Sequence, residues 1–142
     1  MAKIDVTDEA IIDAQPIEVY NAILDLYAGN AKWAPSTTIY KLRGDKPTLC
    51  EGSIVDMTIR DGRVAFNVSG KFKKLLEAKL IEEEIAGAFV GTGTWTFEPT
   101  KDGKTKMQYR FNARTNKLLF SLVSPFVNIG WILESWKTIK KP

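Results

Sequence analysis

Between residues 37 and 115 apolar and polar side chains alternate with a period of two, the pattern of half-buried β-strands. The spacing predicts strands over 37–43, 53–60, 63–72, 78–86, 89–99 and 105–115. Their apolar sides are Val55, Met57 and Ile59 in the second, Val64, Phe66, Val68 and Phe72 in the third, Phe89, Trp95 and Phe97 in the fifth, and Met107, Tyr109, Phe111 and Ala113 in the last. Asp61-Gly62 and Asp102-Gly103 are hairpin signals, because tight hairpin turns need φ > 0 and glycine adopts it without steric cost. Residues 73–77 fit both a strand and a turn. Near the start of the chain, 3–13 makes a less regular first strand whose apolar contacts are Ile4, Val6 and Ile12.

The period changes to that of a helix on either side of this block. Pro16 opens a helix that carries Ile17, Tyr20, Ile23, Leu24 and Tyr27 on one side, and Gly29-Asn30 stops it. Residues 30–36 make a bend or one-turn helix, plugged by Trp33 beside Pro35. At the far end, 117–140 places Leu119, Leu122, Phe126, Ile129, Leu133 and Trp136 on one face, and Phe120, Val123, Val127 and Trp131 widen it nearly all round. Ser124 as N-cap and Pro125 at the first helical position divide it into a short turn at 117–123 and a long helix from 125. Ser121, Ser124, Pro125, Asn128 and Gly130 interrupt the apolar run, which falls short of the roughly 20 residues of a membrane span. A helix this apolar needs cover, and strands with one apolar face can provide it. The expectation is one α+β domain over 1–142: a curved seven-stranded antiparallel sheet wrapped around a long C-terminal helix, with two short helices between strands 1 and 2.

Composition narrows the function. The 20 basic and 17 acidic residues leave a net charge of +3 spread along the chain, far from the basic face that nucleic-acid binding needs. The tail cluster Lys137, Lys140 and Lys141 suits the end of a helix dipole. Cys50 is the single cysteine, so no internal disulfide forms, and the absence of a secretory leader pattern predicts a cytoplasmic location. In that setting the sequon Asn67-Val68-Ser69 carries no meaning. There is no histidine, which removes the commonest general base near neutral pH and the usual zinc ligands; no metal and no cofactor are expected.

Within 78–86, placing Ile81 and Ile85 inward also turns Glu83 inward and leaves Glu82 and Glu84 in solvent. A dry inward carboxyl has a raised pKa and can orient a ligand hydroxyl or act as an acid or base. A one-residue register slip, or a place at the mouth of a cavity, would leave it solvated instead. Tyr109 is the other polar inward residue, and these two are the weak candidates for chemistry. The expected ligand lining is Trp33, Met57, Phe66, Val68, Trp95, Phe97, Tyr109, Phe111, Val123 and Val127, each of which, taken singly, also reads as core. Arg63, Arg110 and Arg114 are expected to face solvent. Gly91-Thr92-Gly93 lies inside a strand, so it marks a bulge, a bend or a close approach rather than a phosphate loop.

The helix start at 16–25, Trp33, and the Gly-x-Gly-x-Trp-x-Phe-x-Pro strand at 91–99 together resemble the helix-grip superfamily of START and Bet v 1-like (SRPBCC) proteins, in its polyketide cyclase/dehydrase-like branch. The resemblance implies a seven-stranded sheet gripping the C-terminal helix, with a hydrophobic ligand between them. Three functions remain open at this point. The first is binding or transport of a lipid, isoprenoid or aromatic molecule. The second is a cofactor-independent cyclase, aromatase or dehydratase, disfavoured by the shortage of poised groups. The third is an interaction module, whose C-terminal helix meets a second copy or another protein.

Overall fold

The computed structural model of the protein describes residues 2–31, 38–45, 48–61 and 64–115. Strand β1 (Ala2–Ile12) leads into helix α1 (Pro16–Tyr27), and six strands follow: β2 (Thr38–Leu42), β3 (Ile54–Asp61), β4 (Val64–Leu76), β5 (Leu80–Gly87), β6 (Val90–Pro99) and β7 (Thr105–Thr115). They make one curved seven-stranded sheet in the order β1-β7-β6-β5-β4-β3-β2. Every pairing is antiparallel. From β2 to β7 the path is a run of hairpins between neighbours in sequence. β1 instead joins the far edge, with Ala2 opposite Thr115 and Ile12 opposite Thr105.

The alternation seen in the sequence decides which face is buried. In β7, Met107, Tyr109, Phe111 and Ala113 are buried as expected, and Thr105 and Thr115 extend the same face. Phe66, Val68 and Phe72 of β4, Val55 and Met57 of β3, and Trp95 and Phe97 of β6 share that inner side. On the outer side Arg43 grips Asp56 through two hydrogen bonds of 2.6 and 2.7 Å, and Arg110 grips Asp5 at 3.0 and 2.8 Å. Lys106 meets Glu9 at 3.6 Å and Lys73 meets Glu84 at 3.3 Å. Pairs this exposed add little stability, but they keep the outer face wet.

Three expectations change. Residues 73–77, open between strand and turn, are strand to Leu76 and turn at Glu77, with a bulge between Phe72 and Lys74 that shifts the β4–β5 register. The extra residue lets Lys73 and Lys74 both face solvent before Leu75 packs back against the core. The apolar face of α1 is rotated from the expected one. Val19, Tyr20, Ala22, Ile23, Leu26 and Tyr27 are buried, while Ile17 and Leu24 lie at the margin. Val6 shares the parity of Ile4 and Ile12 on the edge strand, yet it is 37% exposed where they are buried.

Helix α1 starts and stops where the sequence says. Pro16 occupies the first turn, the Glu18 carboxylate accepts the Gln15 N–H at 3.4 Å, and Gly29 leaves the helix at φ 81°. It is the one helix among the described residues. The second short helix expected near 30–36 falls largely outside them, as do the turn residues 62–63 and the whole C-terminal helix. Asp61 pairs with Val64, so the hairpin expected at Asp61-Gly62 does join β3 to β4.

Candidate functional site

Helix α1 lies on the inner face with its aromatic residues against β6 and β2. The Tyr20 ring meets Phe97 edge to face at 5.7 Å, and Tyr27 in the last turn packs against Phe72 at 4.9 Å, Tyr40 at 5.8 Å and Trp95 at 6.4 Å. From Trp95 the rings continue across the sheet: Tyr109 at 4.3 Å, Phe111 at 6.4 Å from Tyr109, Phe89 at 5.8 Å from Phe111, and Phe66 at 5.4 Å from Phe89. Such pairs add to area burial through ring electrostatics.

Glu83 sits in the middle of this apolar surface and is 3% exposed. The strand register sets it there, since Glu83 lies opposite Phe72 on one side and Gly93 on the other. Tyr27 Oη donates to its Oε1 at 3.2 Å and Tyr109 Oη donates to the same atom at 3.3 Å. Trp95 Nε1 in turn donates to Tyr27 Oη at 3.1 Å. Oε2 has no hydrogen-bond partner among the described residues. Burial pushes the Glu83 carboxyl up from 4.5 to about 7, against the pull of the two phenols. Burial and the neighbouring carboxyl hold Tyr27 and Tyr109 well above the usual phenol range, and Tyr40 is raised for the same two reasons. All three phenols therefore stay protonated at neutral pH, and Tyr27 and Tyr109 serve as donors to Glu83.

Two glycines make room for the carboxyl. A Cβ on Gly93 would lie 2.6 Å from Glu83 Oε1 and 2.6 Å from Tyr109 Oη, and one on Gly70 would lie 2.7 Å from Oε2. Of the meanings open to Gly91-Thr92-Gly93, close approach is the one observed. A Cβ on Gly91 would run into the Asn112 carbonyl oxygen, and β6 pairs in unbroken register on both sides.

Glu83 and Tyr109, read separately from the sequence, are thus one hydrogen-bonded unit on the buried face; neither a register slip nor a solvated position applies. Met57, Phe66, Val68, Trp95, Phe97 and Phe111 share that face and are buried. Trp33, Val123 and Val127 lie outside the described residues. Arg110 and Arg114 are exposed as expected; Arg63 is not among the described side chains. Sequence reasoning missed Tyr27 and Gly70 as the polar and steric partners of Glu83, and Tyr40 and the indole of Trp95 as the groups that pack on and hydrogen-bond to Tyr27. No group of acidic, cysteine or histidine side chains among the described residues could hold a metal ion, and no helix among them is long and apolar enough to cross a membrane.

The family model described as polyketide cyclase / dehydrase and lipid transport matches residues 3–131. No curated protein matches the chain. Among solved structures it is similar to Ara h 8.0201, with a TM-score of 0.70 at 14% identity over 97% of each chain. A protein from Chromobacterium violaceum gives 0.66 at 16% identity, covering 100% of this chain and 99% of the other. Norcoclaurine synthase from Thalictrum flavum, in complex with dopamine and hydroxybenzaldehyde, gives 0.67 at 15% identity, covering 99% and 90%. At these identities the likeness is one of fold.

Proposed function

The chain belongs to the polyketide cyclase / dehydrase and lipid transport family, and from that premise we propose that it is a single helix-grip domain that binds or carries a hydrophobic small molecule, aromatic or lipid-like, against the inner face of its sheet. The observation that carries this reading is the unbroken path of buried rings from Trp95 to Phe66 around a single hydrogen-bonded centre at Glu83. An apolar surface with few convergent polar groups suits the orientation of an apolar ligand. The norcoclaurine synthase complex holds two aromatic molecules on a similar fold, which supports the same ligand class. The wet outer face gives no reason to invoke nucleic acid, and a cytoplasmic location fits the single free cysteine.

Acid–base catalysis is the second reading, favoured by a buried carboxyl near pH 7. It ranks lower because both phenol protons next to Glu83 are spent on Glu83 itself, so neither is left to hold a developing oxyanion. Native mass spectrometry of the purified protein, followed by thermal shift with a panel of fatty alcohols, isoprenoids and polyaromatics, tests the binding reading. A co-purifying small molecule or a saturable rise in Tm is expected, since a ligand that binds only the folded state stabilises it by mass action. No bound species and no shift across the panel would favour the third function, an interaction module that meets a second copy or another protein.

A further inference from the structure

The buried hydroxyls of the described core have partners: Thr105 donates to the Ala14 carbonyl at 2.7 Å and Thr115 to the Ala88 carbonyl at 2.8 Å. Glu83 Oε2 is the exception. Two phenols already saturate Oε1 and fix the carboxyl in place, so a further donor has Oε2 to bind. That oxygen leans over Gly70, at a point where Met57 Cε is also close. Among the described residues the inner face holds no positive charge, because every Lys and Arg of the seven strands lies on the outward side of its strand, Lys74 by way of the bulge. Asp8, half-buried on the edge strand opposite Tyr109, is an acid of inward parity among the described side chains.

We propose, resting on the apolar-ligand reading above, that Glu83 Oε2 is the polar anchor of the ligand and that the site selects apolar molecules ending in a hydroxyl or amine donor over those ending in a carboxylate. A donor-ended ligand supplies the missing hydrogen bond. A carboxylate brings a second negative charge to a dry face whose described residues offer no counterion, and like charges there are weakly screened. A hydrogen bond to a buried charged group corresponds to roughly ten- to hundredfold in affinity.

The test uses three probes with one bicyclic body: 2-naphthol, 2-methylnaphthalene and 2-naphthoate, titrated calorimetrically into the full chain at pH 8. Naphthol is expected to bind at least about tenfold tighter than methylnaphthalene, and naphthoate weaker than either. In Glu83→Gln, which keeps the shape and removes the charge, naphthoate should recover to parity with methylnaphthalene. Should that variant not fold, the wild type carries the test through pH. Glu83 is faced by Tyr27 of α1, Tyr40 of β2 and Tyr109 of β7, all protonated, with Asp8 of β1 beyond Tyr109. Lowering the pH from 8 to 6 therefore neutralises Glu83, while naphthoate stays ionised and gains at least about threefold on methylnaphthalene. Equal affinity for the three probes, a preference for naphthoate, or no gain at pH 6 overturns the anchor and leaves apolar binding standing. No saturable binding of any probe overturns both.

Discussion

A carboxyl that ionises near 4.5 in the unfolded chain and near 7 in the folded protein ties stability to pH. Between those values the folded form holds more proton, so the stability gained by keeping Glu83 neutral is full below about pH 4.5 and is lost as pH rises through 7. The difference is roughly 3 kcal/mol at 1.4 kcal/mol per pH unit. Urea unfolding at pH 5.5, 6.5 and 8 should show the wild type weakening with pH and Glu83→Gln nearly level. The chain has no histidine to confuse this window. The lowered carboxyls Asp5, Glu9, Asp56 and Asp102 act in the opposite sense, but only on the more acidic side. A level wild-type profile, or a variant with the same slope, would assign the titration to another group. The inward turn of Glu83 is legible in the sequence because Ile81 and Ile85 flank it at two-residue steps. Its partners are not legible, because Tyr27 lies 56 residues away on a helix and reads there as one more apolar-face residue.

At the scale of elements, the carboxyl depends on neighbouring strands that carry no side chain where it lies. Gly93→Ala should cost about 1–3 kcal/mol, since the added methyl meets Glu83 and Tyr109 at distances no Cβ tolerates. Alanine restricts the unfolded chain and would stabilise in an open position, so a net loss measures the clash. The comparison is Thr92→Ala, exposed on the other side of β6, which should stay within about 0.5 kcal/mol in the same urea titration. If Gly93→Ala proves as stable as the wild type, the carboxyl is not held where the register puts it. Strands with clean alternation, β7 above all, are legible from end to end. The second half of β4 is not, because a bulge hides the period: two adjacent lysines both face out, and simple alternation has no reading for that.

Across the whole molecule, the seven strands and the hairpins from β2 to β7 follow from local pattern, since turns and alternation are short-range signals. The place of β1 does not. It pairs with β7 across the rest of the described chain, with residue 12 opposite residue 105, and nothing in either segment names the other. Closing so long a loop carries an entropy cost that the neighbouring hairpins avoid. Pulse-labelling hydrogen exchange during refolding should show amides of β3 to β6 protected before those of β1; protection of β1 in the earliest phase would refute that order. The same topology sets a schedule for synthesis. Of these seven strands the first to leave the ribosome is the last that can find its neighbour, and until residue 115 has emerged β1 waits as an unpaired edge. Lys3, Asp5, Asp8 and Glu9, charges spaced through an apolar strand, are what such a wait calls for, since they hinder pairing with the wrong chain until the right strand arrives.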